Sequence, residues 1–286
     1  MKFKDKLKSN KFLITAELFP PKGTDISFFS KRADCLLNSG VDAVNVTDNQ
    51  RASMRTSSLA MCKILADKGI EPILQLTARD RNRIALQSDL LGASVLGIEN
   101  VLILSGDHPK FGDYANAKAV YDLDTIQLIK TTKMLGSGFD LAGKKLCGSP
   151  NFCVGAVVNP TAYPNEMQVL MFEKKIKAGA EFFQTQTVFD VEIFKAFYDK
   201  VKSFGVKVLA GVMLIKSAKS LSFFQNLPGV TVPKEIQKKI ASSSVALKDG
   251  IDICAQTIKQ LRQFADGVHI MSIGMEELIP EIINKS

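Results

Sequence analysis

The chain has 286 residues, of which 46% are hydrophobic, and it carries a formal net charge of +8. This length suits one large domain or two small ones with a full core, and no apolar run of ~20 residues is present to span a membrane. Residues 1–6 lack the apolar segment of a secretory signal, so we expect a cytoplasmic protein. The lysines are dispersed, which argues against nucleic acid as a partner and favours a solvated basic surface that attracts anionic substrates.

The five cysteines show no CxxC spacing, and without an export signal we expect reduced thiols rather than disulfides. No nucleophile elbow, phosphate-binding loop, HExxH motif or paired metal-ligand spacing is present. These absences argue against a metal centre and against several common hydrolase and nucleotide-hydrolysing classes.

Hydrophobic periodicity divides the chain into strands that alternate with amphipathic helices. The predicted strands cover residues 12–19, 41–47, 70–77, 101–104, 152–158, 180–188, 206–214 and 267–272. The predicted helices cover residues 25–38, 53–68, 82–97, 124–135, 167–178, a segment capped by Asp190, 218–225, 233–264 with a break near Asp249-Gly250, and 275–284.

Eight strand–helix units in a chain of this length predict a single α/β domain over residues 1–286 that folds as a closed (β/α)₈ TIM barrel. A Rossmann sheet is the competing architecture. It is disfavoured because no GxGxxG follows the first strand and eight units exceed the usual six. In such a barrel the carboxyl ends of the strands build the active site.

One predicted strand end carries acid and imidazole groups. The buried run of residues 101–104 stops at Ser105-Gly106 and is followed at once by Asp107 and His108. The end of a buried strand is a common location for active-site carboxylates in α/β proteins. A strand that simply ends in a polar turn would show the same sequence pattern.

The other strand ends supply a further set of polar side chains around the same mouth. Glu17 lies within an otherwise apolar strand, and burial without a cationic partner would favour its protonated form and make it a candidate general acid. Gln184 and Gln186 flank Thr185, and such amides suit a heterocycle that has both donors and acceptors. His269, at the start of its strand, is expected at the opposite face with a structural role.

Several of these strand ends together resemble the methylenetetrahydrofolate reductase family, and the resemblance covers nearly the whole chain. The matching segments are Ala16-Glu17-Leu18-Phe19-Pro20-Pro21, Ser105-Gly106-Asp107, Ala178-Gly179-Ala180, Gln184-Thr185-Gln186-Thr187-Val188-Phe189-Asp190 and Gly211-Val212-Met213-Leu214-Ile215. Residues 75–82 are similar to the branch found in acetogens and in fusions with homocysteine methyltransferase.

The resemblance implies a flavin-dependent hydride transfer that converts methylenetetrahydrofolate into methyltetrahydrofolate. It implies that Glu17 is the general acid, that Asp107 stabilises the folate cation and contacts the flavin, and that Gln186 orients the pterin. It implies FAD, with FMN as the alternative. The remaining positions that match flavin contacts are Thr47, Gln75, Gly106, Tyr121, Asp122 and Lys175.

Four positions depart from the family pattern. Ser105 stands where an arginine is usual, Gln75 where a histidine is usual, and Gly155 and Gly274 where a tyrosine and an arginine are usual. These departures leave open whether NAD(P)H or a partner subunit delivers the electrons, and an oligomer or hetero-complex is expected. The alternatives are a barrel that acts on another one-carbon pterin carrier, such as a methanopterin, and a folate-binding subunit of an electron-transfer complex.

Overall fold

Apolar strands and the helices between them close into one parallel barrel, and the predicted (β/α)₈ fold is confirmed. The computed structural model describes residues 1–226 and 230–286. The sheet order β1 to β8 follows the chain, and β8 pairs with β1 to complete the barrel. The strands are β1 (Leu13–Leu18), β2 (Ala43–Val46), β3 (Pro72–Thr77), β4 (Asn100–Leu104), β5 (Cys153–Val158), β6 (Phe182–Thr187), β7 (Lys207–Met213) and β8 (Gly267–Met271).

The helices surround this sheet. They are α1 (Phe3–Lys6), α2 (Ser27–Leu36), α3 (Ser58–Asp67), α4 (Arg83–Val95), α5 (Thr125–Gly136), α6 (Asn165–Ala178), α7 (Val191–Val201), α8 (Ala218–Gln225), α9 (Lys234–Ala241), α10 (Ala246–Leu261) and α11 (Ile279–Asn284). Side-chain caps set several starts, because each accepts a hydrogen bond from an otherwise free N–H of the first turn. Asp124 and Gln127 form a capping box on α5, and Asp190 caps α7 as predicted.

The floor of the barrel is apolar and is sealed by a helix that periodicity did not predict. The inward side chains at the amino ends of the strands include Leu13, Ile73 and Phe182. Phe3 of the four-residue helix α1 is fully buried against them and meets the Phe182 ring edge-on at 5.2 Å. Phe182 also explains Gly155, since a Cβ there would lie 2.3 Å from the Phe182 ring. Polar chemistry is therefore confined to the middle and upper layers.

Two predicted helix boundaries were wrong for identifiable reasons. The break expected near Asp249-Gly250 lies instead between α9 and α10, at residues 242–245. Gly250 is inside α10, where its missing side chain lets the helix approach the sheet, because a Cβ would lie 1.9 Å from the Ile215 carbonyl oxygen. The third helix begins at Ser58 rather than near residue 53, since Gln50–Ala52 form a 3₁₀ turn.

Within residues 1–226 and 230–286, no helix combines the length and the apolarity that crossing a bilayer requires.

Candidate active site

Glu17 lies on β1 near the mouth of the barrel and is 6% exposed. Its Oε2 accepts a 3.1 Å hydrogen bond from Gln75 Nε2 on β3. Its Oε1 is buried and has no hydrogen-bond partner among the described residues. A buried acceptor without a partner is costly in a finished core, so Oε1 is poised to meet a group from outside the chain.

A chain of polar side chains fills the barrel below Glu17. Asn45 and Gln184 exchange reciprocal amide hydrogen bonds of 2.8 and 3.1 Å, and Gln184 Nε2 also donates to Thr15 Oγ1 at 3.1 Å. Thr15 Oγ1 is 3.0 Å from His269 Nδ1, and His269 Nε2 is 3.7 Å from Glu17 Oε2. The middle layer of the barrel and the mouth are thus joined by one nearly continuous polar network.

This network corrects two expectations. His269 is not at the opposite face: it is the third residue of β8, points into the barrel and lies beside Glu17. Gln184 is not free for a heterocycle, because it is 2% exposed and bonded to Asn45 and Thr15. Gln186, two residues later and within the irregular stretch of β6 between Gln184 and Thr187, is exposed near the end of the strand.

Asp107 lies just beyond β4 on an exposed turn. Its carboxylate makes no hydrogen bond or ion pair within the described ranges, whereas its backbone oxygen accepts a 3.2 Å hydrogen bond from Arg79 Nη1. Gly106 has a φ of +84°, and a Cβ there would lie 3.1 Å from Arg79 Cβ. Tyr121 donates to the Gly106 carbonyl oxygen at 2.9 Å. The turn is held by its backbone, which leaves the Asp107 carboxylate available.

Arg79 is a candidate site residue that the strand ends did not single out, whereas Asp48 lies at the end of β2, where polar side chains were expected. Arg79 is 1% exposed and brings a guanidinium beside the Gly106-Asp107 turn, close to Ser105, where the family pattern has an arginine. Asp48 is 3% exposed; its Oδ2 accepts hydrogen bonds from Thr77 N, Thr77 Oγ1 and Arg81 Nη1, and its Oδ1 accepts one from Arg81 Nη2. The sequence signal that could have pointed to Arg79 is the alternation of charges in Arg79-Asp80-Arg81, shortly after β3.

Three residues expected to contact a flavin, Thr47, Lys175 and Asp122, have distinct surroundings in the structure. Thr47 follows β2, is fully buried, and its Oγ1 has no hydrogen-bond partner among the described residues. Lys175 on α6 donates from Nζ to the Val157 carbonyl oxygen at 2.6 Å, and burial lowers the pKa of its ammonium group to about 8. Asp122 is held by Arg83, whose hydrogen bonds lower the pKa of the carboxyl group to about 2.

His108, also near the mouth, has a local role: its Nδ1 accepts from Lys110 N at 3.2 Å and caps a 3₁₀ turn. Across the described ranges, no group of three or more His, Cys, Asp or Glu side chains is arranged to hold a metal ion. The mouth brings together the buried acid Glu17, the ion-paired Asp48, the guanidinium of Arg79, the exposed carboxylate of Asp107, amides and hydroxyls.

Comparison with known proteins identifies relatives along the whole chain. A family model described as methylenetetrahydrofolate reductase matches residues 2–286. A Caenorhabditis elegans protein named "Probable methylenetetrahydrofolate reductase (NADPH)" is 24% identical over 93% of this chain and 41% of its own length. The Escherichia coli "5,10-methylenetetrahydrofolate reductase" is 24% identical over 86% of this chain and 76% of its own length.

The chain spans about half the length of the first curated relatives it matches, with coverage of 41%, 46% and 48%. A solved structure shares the fold with a TM-score of 0.71 and 16% identity, covering 100% of this chain and 98% of that one. It is described as an uncharacterised protein from Clostridium thermocellum that binds two copies of 5-methyl-5,6,7,8-tetrahydrofolic acid. The family match extends over nearly every residue, and the chain therefore belongs to the methylenetetrahydrofolate reductase family.

Proposed function

We propose that residues 1–286 form a single flavin- and folate-binding domain that reduces methylenetetrahydrofolate to methyltetrahydrofolate. The observation that carries this proposal is the buried Glu17 at the mouth, held through Oε2 by Gln75 and unsatisfied at Oε1. The family match and the names of the curated relatives support the same reaction.

The residues around Gly106 fit a flavin. Thr47 offers a buried hydroxyl that has no hydrogen-bond partner among the described residues. Gly106 has no side chain, so its backbone packs closely against Arg79 and Thr77. The Lys175 ammonium group donates one hydrogen bond, to the Val157 carbonyl oxygen, and its other N–H groups suit a phosphate oxygen. Gln75, Tyr121 and Asp122 are the remaining candidate contacts. FAD and FMN share these requirements, and FAD is the cofactor we propose.

A flavin bound by these residues would supply a hydride, and the side chains of this chain would supply the proton and orient the substrate. Glu17 donates its proton to one of the two folate nitrogens that hold the methylene carbon. The bond between that nitrogen and the carbon breaks, the five-membered ring opens, and an iminium cation forms on the other nitrogen. The hydride then adds to the iminium carbon and gives the methyl group, so one hydride and one proton account for the product. The Gln75 hydrogen bond to Oε2 leaves Oε1 as the proton-carrying oxygen.

Two further side chains act on the substrate in this proposal. The carboxylate of Asp107, which has no partner among the described residues, stabilises the positive charge of the iminium. Gln186 presents an exposed amide at the mouth and orients the pterin through its donor and acceptor atoms. The structural neighbour that binds methyltetrahydrofolic acid favours a folate over a methanopterin carrier.

An anaerobic experiment tests the proposal. The flavin-loaded protein is reduced chemically and mixed with methylenetetrahydrofolate, and the visible flavin absorbance is followed while methyltetrahydrofolate is measured. The proposal expects reoxidation of the flavin with one methyltetrahydrofolate formed per flavin. A protein that binds folate but leaves the flavin reduced would be a binding subunit, and failure to retain flavin after reconstitution would also contradict the proposal. Replacing the chemical reductant with NADH, NADPH or a partner subunit then identifies the donor.

A further inference from the structure

Arg79 lies two residues beyond β3 and is among the largest side chains that are less than 2% exposed. Burying a guanidinium is unfavourable unless its charge and its N–H groups find partners within the protein. The partners of Arg79 come from the segments that follow three neighbouring strands, β2, β3 and β4. No step of the proposed reaction uses this buried cation, so its place at the mouth needs a separate explanation.

The charge of Arg79 is balanced by the next residue in the chain. Arg79 Nε donates to Asp80 Oδ1 and Arg79 Nη2 donates to Asp80 Oδ2, each at 2.7 Å. Two parallel bonds of this kind fix the plane of the guanidinium as well as its position. Burial raises the pKa of the Asp80 carboxyl group, but the hydrogen bonds from Arg79 outweigh burial and hold that pKa below its ordinary value. Asp80 therefore stays charged beside Arg79.

The other hydrogen bonds of the guanidinium go to backbone oxygens on two different loops. Arg79 Nη2 also donates to the Asn49 carbonyl oxygen at 3.0 Å, and Nη1 donates to the Asp107 carbonyl oxygen at 3.2 Å. Gly106 packs directly against Arg79, since a Cβ at Gly106 would lie 3.1 Å from Arg79 Cβ. One planar group thus sets the position of the Asp107 turn relative to the loop after β2.

The segment before α5 holds the same turn from another side. The Val120 N–H donates to the Arg79 carbonyl oxygen at 2.8 Å, and the Tyr121 hydroxyl donates to the Gly106 carbonyl oxygen at 2.9 Å. Each of these contacts to the turn, like the one from Arg79 to Asp107, is made to a backbone oxygen. The Asp107 side chain is the part of the turn that this arrangement leaves free.

Asp80 also determines which carboxylate the guanidinium meets. Because Arg79 Nη1 bonds to the backbone oxygen of Asp107, the opposite charges of these two side chains lie near each other and attract. The ion pair of Arg79 is nevertheless with Asp80, and the described ranges show none between Arg79 and Asp107. A carboxylate already paired with a guanidinium stabilises a second cation less well, because the two nearby charges largely cancel.

We propose that Arg79 and Asp80 form a positioning pair for Asp107: Arg79 fixes the turn through its backbone, and Asp80 keeps the guanidinium from pairing with the Asp107 carboxylate. The inference rests on the proposed function, in which that carboxylate stabilises the folate cation. Neither member of the pair contacts the substrate in this assignment. Both act through Asp107, so their effect on the reaction should vanish when the Asp107 carboxylate is absent.

A double-mutant cycle tests the pair. Arg79→Lys and Asp80→Asn are made alone, and each is also combined with Asp107→Asn. Lysine keeps the positive charge of Arg79 but lacks the planar fork that reaches several acceptors at once. Asparagine at position 80 removes the charge that holds the guanidinium. Hydride transfer is measured for the flavin-loaded proteins in anaerobic single-turnover experiments, and KM for methylenetetrahydrofolate is measured in steady state.

The matched control is Arg81→Lys, two residues further along the chain. Arg81 is also largely buried and ion-paired, but its partners are Asp48 and Asp89 rather than the Asp107 turn. We expect Arg81→Lys to lower the thermal midpoint. Any effect it has on hydride transfer should be the same with and without the Asp107 carboxylate.

We expect Arg79→Lys and Asp80→Asn each to slow hydride transfer about tenfold when Asp107 is present, with little change in KM. Combined with Asp107→Asn, neither should slow it further. A merely structural role would give equal losses in both backgrounds, and that outcome, or no loss in either, would overturn the inference. If Arg79→Lys fails to fold, Asp80→Asn carries the same test, because 35% of the Asp80 side chain is exposed.

The outcomes also separate this inference from the proposed function. A wild-type protein that reduces methylenetetrahydrofolate while the losses in the cycle simply add would refute the positioning pair alone. An Asp107→Asn protein with the wild-type rate would do the same, since the pair would have no carboxylate to position for the reaction. A flavin-loaded wild-type protein that does not reduce methylenetetrahydrofolate would refute both.

Discussion

Glu17 and His269 lie side by side within the barrel, with His269 Nε2 3.7 Å from Glu17 Oε2. The other ring nitrogen is 3.0 Å from Thr15 Oγ1, which is a shorter contact than the 3.4 Å from Thr15 Oγ1 to the Val268 carbonyl oxygen. The Thr15 hydroxyl has one proton and lies within reach of both His269 Nδ1 and the Val268 carbonyl oxygen, so the imidazole is held on its Nδ1 side while Nε2 faces Glu17. His269 is thus a positioning residue for the candidate acid.

Replacing His269 by Phe tests that role. We expect kcat to fall about tenfold with little change in KM, because Glu17 loses its polar imidazole neighbour while the pterin contacts remain. The pH profile of kcat should also move, since the surroundings of the acid have changed. A variant with a lower thermal midpoint but an unchanged pH profile would show that His269 only packs the barrel.

Replacing Asp107 by Asn removes the carboxylate that we assign to the folate cation. We expect hydride transfer to slow by about 10²-fold in single-turnover absorbance measurements, because one electrostatic contact to the developing charge is lost. Folding should be unaffected, as the turn is held through the Asp107 backbone oxygen rather than the side chain. Asp252→Asn, which removes an exposed carboxylate paired with Lys285, is the control. Normal hydride transfer in Asp107→Asn would remove Asp107 from the mechanism.

The proposed contact between Lys175 and the flavin predicts that flavin binding depends on pH. Burial lowers the pKa of its ammonium group to about 8, so the positive charge is present below that pH and is lost as the pH rises through it. If Lys175 binds a flavin phosphate, flavin affinity should weaken across this range in fluorescence titrations. Lys175→Met should bind flavin more weakly near neutral pH and should lose the dependence, whereas Lys174→Met, on the exposed neighbour, should behave as wild type.

The same residue has a predicted effect on stability in the flavin-free protein. Because folding lowers the pKa of Lys175, the charged form costs folding free energy, fully so below about pH 8 and progressively less toward the ordinary value of 10.5. Lys175→Met should therefore raise the thermal midpoint of the flavin-free protein near neutral pH. A lower midpoint would mean that the bond to the Val157 oxygen outweighs the burial of charge.

Asp48 and Arg81 form a buried pair that supports the end of β3. We expect Asp48→Asn to lower the free energy of unfolding by about 3 kcal/mol, because Arg81 loses its buried carboxylate partner and keeps only the half-exposed Asp89. Urea unfolding measures this change. The double variant with Arg81→Met should lose less than the sum of the two single variants, and strict additivity would indicate that the pair is not coupled.

The sequence predicted the barrel because each strand and helix carries its own local signal. Glu17 stood out as a candidate because it is the one acid in an otherwise apolar strand, and the structure shows that every residue of that strand is buried. The position of His269 along the barrel axis was predicted wrongly, because it depends on how β8 pairs with β1. The pairing of β8 with β1 places His269 opposite Thr15, and no segment of the sequence encodes that register alone.

Long-range packing explains the other differences. Gly250 reads as a helix break by propensity, yet its contact with the Ile215 carbonyl oxygen requires a residue without a Cβ inside α10. Arg79 approaches Asp107 across 28 positions of sequence, so the guanidinium beside the turn was visible only in three dimensions. Phe3 has little local helix signal and is ordered by its burial under Phe182.

The central claim is that Glu17 supplies the proton for folate reduction, and Glu17→Gln tests it most directly. The substitution keeps the size of the side chain and a carbonyl acceptor for Gln75 but removes the acid. Glu99→Gln, on an exposed ion pair with Lys2, is the matched control. In anaerobic single-turnover measurements, we expect Glu17→Gln to retain flavin and bind methyltetrahydrofolate but to reduce methylenetetrahydrofolate at least about 10²-fold more slowly. Reduction at the wild-type rate by a flavin-loaded Glu17→Gln protein would contradict the account.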